Sequence, residues 1–290
     1  MTTIGIYEKA LPKNITWAER LALAKELDFQ FIEMSIDETD ERLGRLEWTK
    51  EERKSVVDAI YETDVKIFSI CLSAHRRFPF GSEDPSKRLK SLEIISKAID
   101  LASDLGVRNI QLAGYDVYYE DKTDLSREFF IENLQIAVGM AAAKQVMLSI
   151  EIMDDPFINS LAKFKKIKAQ IRSPWLQAYP DVGNISAWPE NNLGYDLEIG
   201  IENIAAVHVK DTVNVSADFP GKFKEVPWGE GDVNFLSAFK TLKRLGYKGS
   251  FMLEMWSEIE DNPKVAIEKA QQFIYPILEE AGYEPKRTNN

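Results

Sequence analysis

The chain has 290 residues, 44% hydrophobic and 29% charged, with a formal net charge of −11. This is enough chain for one large core, and no apolar run approaches the roughly 20 residues that a membrane span needs. The acidic balance argues against nucleic acid as the main partner, because phosphate backbones require a basic face, although a local cluster of Lys and Arg could still hold a small anion.

The N-terminus, Met1-Thr2-Thr3-Ile4-Gly5, has neither the basic start nor the apolar core of a secretion signal. The single cysteine, Cys71, cannot form an internal disulfide and fits a reducing compartment, so a cytoplasmic location is expected. A first strand is expected at residues 4–7; Gly5 stands alone there, outside any Gly-x-Gly-x-x-Gly phosphate loop. A second follows at 29–35, then a helix that Thr49 caps with Glu52 three residues on, the reciprocal capping pattern. After a third strand at 65–72, Leu92, Ile95, Ile99 and Ala102 recur at spacings of three and four, one face of a helix that stops at Gly106.

Further strands are expected at 107–113, 146–152, 175–181, 204–209 and 250–255. Eight strands alternating with helices, with no Pro/Gly/Ser-rich linker, predict an α/β fold as one domain over residues 1–290. An open doubly wound sheet is the alternative. The even spacing, the count of eight and the missing phosphate loop favour a closed (β/α)8 TIM barrel.

Four polar residues interrupt the apolar strands. Glu151 lies in the fifth and Glu254 in the eighth, His208 lies in the seventh, and Asp181 closes the sixth. All four fall near C-terminal strand ends, where barrel enzymes place their chemistry. An unpaired carboxylate in an apolar strand is costly, and a shared divalent cation removes that cost. Three carboxylates and an imidazole suit Mn²⁺, Mg²⁺, Co²⁺ or Zn²⁺, and the lack of a Cys ligand argues against a structural zinc. Singly, each has a plainer reading: a solvated strand tip for either glutamate, a hydrogen-bonded core histidine for His208, an ordinary turn for Asp181. The weight rests on their coincidence on four successive strands.

With these residues in hand, the chain resembles the xylose-isomerase-like barrels, and more closely the L-ribulose-5-phosphate 3-epimerases of L-ascorbate and pentose breakdown, some of which carry the older label hexulose-6-phosphate isomerase. The resemblance runs from residue 5 to about 258. It is carried by Gly5-Ile6-Tyr7-Glu8-Lys9-Ala10-Leu11-Pro12, Phe31-Ile32-Glu33-Met34-Ser35-Ile36-Asp37-Glu38 and Cys71-Leu72-Ser73-Ala74-His75-Arg76-Arg77-Phe78-Pro79. Gln111-Leu112-Ala113-Gly114-Tyr115-Asp116-Val117-Tyr118-Tyr119, Glu151-Ile152-Met153-Asp154 and Tyr179-Pro180-Asp181-Val182-Gly183-Asn184 continue it, followed by His208-Val209-Lys210-Asp211 and Glu254-Met255-Trp256-Ser257-Glu258.

The resemblance implies a metal held by Glu151, Asp181, His208 and Glu254, with the two glutamates also acting on the substrate. Non-phosphorylated ketose 3-epimerases of the tagatose type have a histidine three residues after the metal aspartate; here that position is Asn184. Substrate contacts are therefore not carried over from that branch.

Epimerising a ketose at C3 means removing a proton beside the C2 carbonyl and returning one from the other face. A divalent ion on O2 and O3 would stabilise the enediolate, while one glutamate takes the proton and the other supplies it. A phosphate would need cations: His75, Arg76 and Arg77 after the third strand, Lys210 after the seventh, and less strongly Lys222 and Lys224 in the loop before Gly231. The alternative for these is solvated surface or pairing with acids. Trp256 would pack against the sugar or simply line the barrel rim.

An aldose–ketose isomerase on the same site is the nearest rival. An abasic-site endonuclease fits poorly with two histidines and a charge of −11. A non-catalytic sugar-binding barrel leaves Glu151 and Glu254 unexplained. The expected partner is a small sugar phosphate, and a homodimer follows from the resemblance alone.

Overall fold

The computed structural model of the chain describes residues 2–257 and 262–286; Glu258, in the last resembling segment, lies outside the described residues. The strands are β1 (Ile4–Tyr7), β2 (Phe31–Ile36), β3 (Lys66–Leu72), β4 (Asn109–Ala113), β5 (Met147–Glu151), β6 (Leu176–Tyr179), β7 (Val207–Val209) and β8 (Phe251–Leu253). All pair in parallel, in the order β6-β5-β4-β3-β2-β1-β8-β7. Between β6 and β7 the circle is joined by two isolated parallel bridges, Ala178 with Ile204 and Asp181 with His208. The result is a nearly closed (β/α)8 barrel, as the alternating pattern predicts.

The helices are α1 (Trp17–Glu26), α2 (Asp40–Leu43), α3 (Lys50–Thr63), α4 (Pro85–Leu105), α5 (Asp124–Ala143), α6 (Leu161–Gln170), α7 (Val182–Ser186), α8 (Leu193–Gly200), α9 (Phe235–Arg244) and α10 (Pro263–Glu280). Thr49 and Glu52 form the expected reciprocal cap of α3. The apolar face of α4 buries Ile95, Ile99 and Ala102, with Leu92 half-buried beside them. The helix ends where Gly106 turns left-handed at φ 75°, a conformation that costs glycine little. The strands' outward residues and the helices' inner faces share one large apolar core.

Inside the barrel the lining is unusually polar: Glu33, Ser69, Asn109, Gln111, Ser149 and His208 are all buried. Two local devices shape that interior. A side chain at Gly5 would run into the Phe31 ring, 2.2 Å from an added Cβ, so the bare backbone of β1 makes room for an aromatic plug. Between β2 and β3 the register shifts after Ile32: Ile32 faces Ile67, yet Glu33 faces Ser69, leaving Phe68 as the extra residue of a bulge.

Candidate metal centre and active site

The end of β5 supplies Glu151, β7 supplies His208, and Glu254 follows β8 directly. Asp181 stands two residues beyond β6 and caps α7, its Oδ1 accepting the Asn184 amide at 2.9 Å. The turn expected at Asp181 is thus a one-turn helix that leaves Oδ2 aimed inward. One ligand-type atom from each of Glu151, Asp181, His208 and Glu254 lies within 4.8 Å of the others, and all four residues are buried.

The imidazole orders this cluster. His208 Nδ1 is 3.1 Å from Glu151 Oε1, 3.9 Å from Glu254 Oε2 and 4.0 Å from Asp181 Oδ2. Its Nε2 lies 2.7 Å from Glu33 Oε1 on the other side. Burial lowers the imidazole pKa, but Glu33 and Glu151 outweigh it and hold the ring well above its ordinary value. Such a ring, with carboxylates on both nitrogens, is a place that asks for positive charge.

Lys210 answers part of that demand. Its buried ammonium sits 2.8 Å from Glu254 Oε2 and 3.0 Å from Asp181 Oδ2. Burial works against its charge, yet Asp181, Glu254 and Glu151 raise its pKa above the usual lysine range. Burial also pushes Asp181 up; for Glu254 the same penalty is overcome by Lys210 and His208, which draw it down. The two acids are therefore biased in opposite directions.

The donor set fits a divalent ion on this structure's own terms. Four buried carboxylates (Glu33, Glu151, Asp181, Glu254) face one ammonium and one imidazole. Asp181 Oδ2, although close to Lys210, receives no donor at hydrogen-bonding angles. An oxygen-rich set with one imidazole matches hard or borderline metals. Gln111 on β4 donates to Glu151 Oε2, which turns the other oxygen of Glu151 toward the cluster.

A small cavity of about 40 Å³ opens above the cluster, lined by Tyr7, Arg76, Asp154, Lys210, Lys224 and Trp256 among others. Of the residues expected to contact substrate, Arg76, Lys210 and Trp256 line this cavity. Trp256 stands edge-on to Tyr7 with ring centroids 6.4 Å apart. Arg76 lies over the Tyr115 and Tyr118 rings, and its Nε is buried without a hydrogen-bond partner. Lys224 also reaches the cavity from the β7–α9 loop.

His75 and Arg77 are not brought there. His75 is buried against Phe80, with Nε2 3.2 Å from the Ser91 carbonyl of α4, because the single-turn helix after β3 rotates it away from the barrel mouth. Arg77 points outward and pairs with Asp40 at 2.7 Å. Asn184, where the tagatose-type enzymes have histidine, donates to the Ile152 carbonyl at 2.9 Å.

Glu33, Gln111, Tyr115 and Asp154 join the site without having stood out in the sequence. Glu33 carried the same signal as Glu151, a lone acid in an apolar strand, but it sits in mid-strand rather than at the C-terminal end. Tyr115 donates to Asp154 across the β4 and β5 loops, a pairing that no local pattern marks.

Residues 21–277 match the family model of the xylose isomerase-like TIM barrel. SgbU of Escherichia coli (strain K12), named provisionally as an L-ribulose-5-phosphate 3-epimerase, is 55% identical over 280 residues, covering 97% of this chain and 98% of its own. The L-ribulose-5-phosphate 3-epimerase UlaE of Salmonella heidelberg (strain SL476) is 51% identical, covering 96% of each. Among solved structures, an L-ribulose 3-epimerase superposes with a TM-score of 0.76 at 21% identity over 97% of this chain and 96% of that one, which bears on the fold alone. The chain is thus an enzyme of the epimerase type and belongs to the xylose isomerase-like TIM-barrel family, in the branch of the L-ribulose-5-phosphate 3-epimerases.

Proposed function

We propose that the enzyme interconverts L-ribulose 5-phosphate and L-xylulose 5-phosphate by moving the C3 proton, with Glu151, Asp181, His208 and Glu254 holding one divalent ion. The carrying observation is the convergence of these four buried side chains at one barrel mouth, two of them glutamates able to exchange protons. When bound, the ion would supply Lewis-acid stabilisation of the negative charge that develops on the sugar oxygens. Mn²⁺, Zn²⁺, Co²⁺ and Mg²⁺ all suit this oxygen-rich set with one imidazole.

Glu151 and Glu254 stand on strands three apart around the ring, so a sugar lying between them presents one face of C3 to each. One carboxylate removes the proton while the other, protonated, returns one from the far side. Lys210, bonded to Glu254, keeps that carboxyl ionised and so fits it to accept a proton first. Trp256 and Tyr7 form the apolar wall that excludes water from the carbanion.

Arg76 is the best-placed phosphate anchor. Its unpartnered buried Nε and the nearby Lys224 give one side of the cavity cationic character. An arginine fork matches phosphate oxygens in pairs. Arg76→Ala should raise KM for the phosphorylated ketose about tenfold or more and leave the slow turnover of the free ketose nearly unchanged. An equal loss on both sugars would remove Arg76 from phosphate recognition.

The decisive experiment is proton NMR of L-ribulose 5-phosphate in D₂O with the Mn²⁺- or Zn²⁺-loaded enzyme removed before acquisition. Deuterium entering at C3 with L-xylulose 5-phosphate appearing establishes the reaction. Exchange at C1 with an aldose product would replace it with isomerisation, and no exchange with any divalent ion would end the proposal.

A further inference from the structure

The geometry points to Glu33 as the residue that positions His208 for metal binding, holding the ring from inside the barrel so that Nδ1 faces the three ligand carboxylates. The inference rests on the metal reading above and adds to it a residue outside the ligand set.

Glu33 is fully buried in the middle of β2 and touches no part of the cavity. Its Oε1 sits 2.7 Å from His208 Nε2, while Oε2 accepts from the Ser69 hydroxyl. With Glu33 Oε1 on Nε2, that nitrogen faces the barrel floor, and Nδ1 is the one turned to Glu151, Glu254 and Asp181, where a cation would sit. The Tyr179 ring, tilted against the imidazole at a centroid distance of 4.5 Å, closes one flank. The ring is therefore fixed from below and from the side, with Nδ1 turned to Glu151 Oε1 at 3.1 Å on the mouth side.

The bulge between β2 and β3 explains how a residue so far down the barrel gets there. Without the register shift, the Ile32–Ile67 pairing would continue as Glu33–Phe68, and Ser69 would pair with Met34, which faces the opposite side of the sheet. Inserting one residue puts Glu33 and Ser69 side by side, both facing inward, with the hydroxyl locking the carboxylate. Bulges beside active sites commonly re-aim side chains in this way, and this one serves a histidine three strands away around the ring.

Losing a carboxylate that orients a metal-binding histidine typically costs 10- to 100-fold in affinity. The test is isothermal titration of Mn²⁺ and Zn²⁺ into chelator-treated protein, with no activity readout. Glu33→Gln should weaken binding by about 10-fold or more. In a His208→Gln background the same substitution should have no further effect on metal affinity, because Glu33 acts through the imidazole. Ser69→Ala, which frees Glu33 without removing it, should weaken binding by about fivefold and keeps the test intact if Glu33→Gln does not fold.

Wild-type binding with unchanged affinity in Glu33→Gln overturns this inference alone. So does an equal loss in both backgrounds, which would make Glu33 a general support of the barrel. A wild-type protein that binds neither ion overturns both this inference and the metal reading.

Discussion

Glu254 and Asp181 share the Lys210 ammonium, yet their environments pull their acidities apart. Of the two proposed proton exchangers, Glu254 is thereby held toward its ionised, proton-accepting form. Glu151→Gln and Glu254→Gln preserve shape and remove the exchangeable carboxyl. Each should lower kcat by about 10²- to 10⁴-fold while the far-UV spectrum and thermal midpoint of the chelator-treated protein stay close to wild type. Retained turnover in either variant would remove that residue from proton transfer. A second residue-scale effect concerns folding rather than chemistry. Burial pushes the His75 pKa from 6.5 down to about 4, with the Ser91 carbonyl offsetting little of it. Between those values the unfolded chain takes up a proton that the folded chain refuses, so stability falls as pH drops through that window and levels off below it. The full span is worth up to about 3 kcal/mol. Urea midpoints at pH 7.5 and pH 5 should therefore fall further for wild type than for His75→Gln, and parallel falls would refute the assignment. Sequence spacing picked out Glu151, Asp181, His208 and Glu254, which the fold gathers into one buried cluster, because each broke an apolar strand near its end. It misjudged His75 and Arg77, since a single turn of helix after β3 decides whether adjacent residues face the mouth, the core or solvent.

The loop between β7 and α9 is the element that brings Lys224 to the cavity, and its ends are gathered by one carboxylate. Asp211, buried, accepts from the backbone amides of Gly229 at 2.9 Å, Gly231 at 3.1 Å, Thr212 at 3.0 Å and Val233 at 3.4 Å. Gly231 must be glycine, because an added Cβ would come 2.2 Å from Asp211 Oδ1. Between these anchors Val213 pairs with Lys222 in a small antiparallel bridge. The cavity of about 40 Å³ is small for the proposed pentulose phosphate, and on that reading part of the mouth would move aside. A loop tied at its base and bridged only to itself and a few neighbours is the natural part to do so. Asp211→Ala would strand four buried or half-buried amides, and tryptic cleavage after Lys222 and Lys224 should speed several-fold with KM rising more than kcat falls. Unchanged cleavage rates would mean the loop is held elsewhere. Helices were the most legible elements: the Thr49–Glu52 cap and the Gly106 stop are local chemistry. The bulge at Phe68 was not, because it is a relation between two strands and leaves no trace in either one alone.

At the scale of the molecule, eight strand–helix units were readable from period and spacing, because a parallel strand buried on both faces must be apolar and a helix must not. That the sheet closes rather than stays open was favoured by the count and is seen in the bridges joining β6 to β7. A ligand held by side chains from four strands ties distant parts of the chain together and stabilises the folded form by mass action. At 100 times its dissociation constant, a divalent ion should add about 2.7 kcal/mol and raise the thermal midpoint by several degrees. EDTA should reverse this, and Asp181→Asn should abolish it; a midpoint indifferent to both would place the ion elsewhere. Mechanically, the barrel is a hoop, and its weakest join is between β6 and β7, carried by the Ala205 amide on the Ala178 carbonyl and the His208 amide on the Pro180 carbonyl. Asp181 and His208 stand on opposite sides of that join. If the proposed ion draws the two together it would rivet the hoop where it is thinnest, so metal loading should slow amide exchange most at Ala205 and His208, and chelation should let the barrel breathe there first.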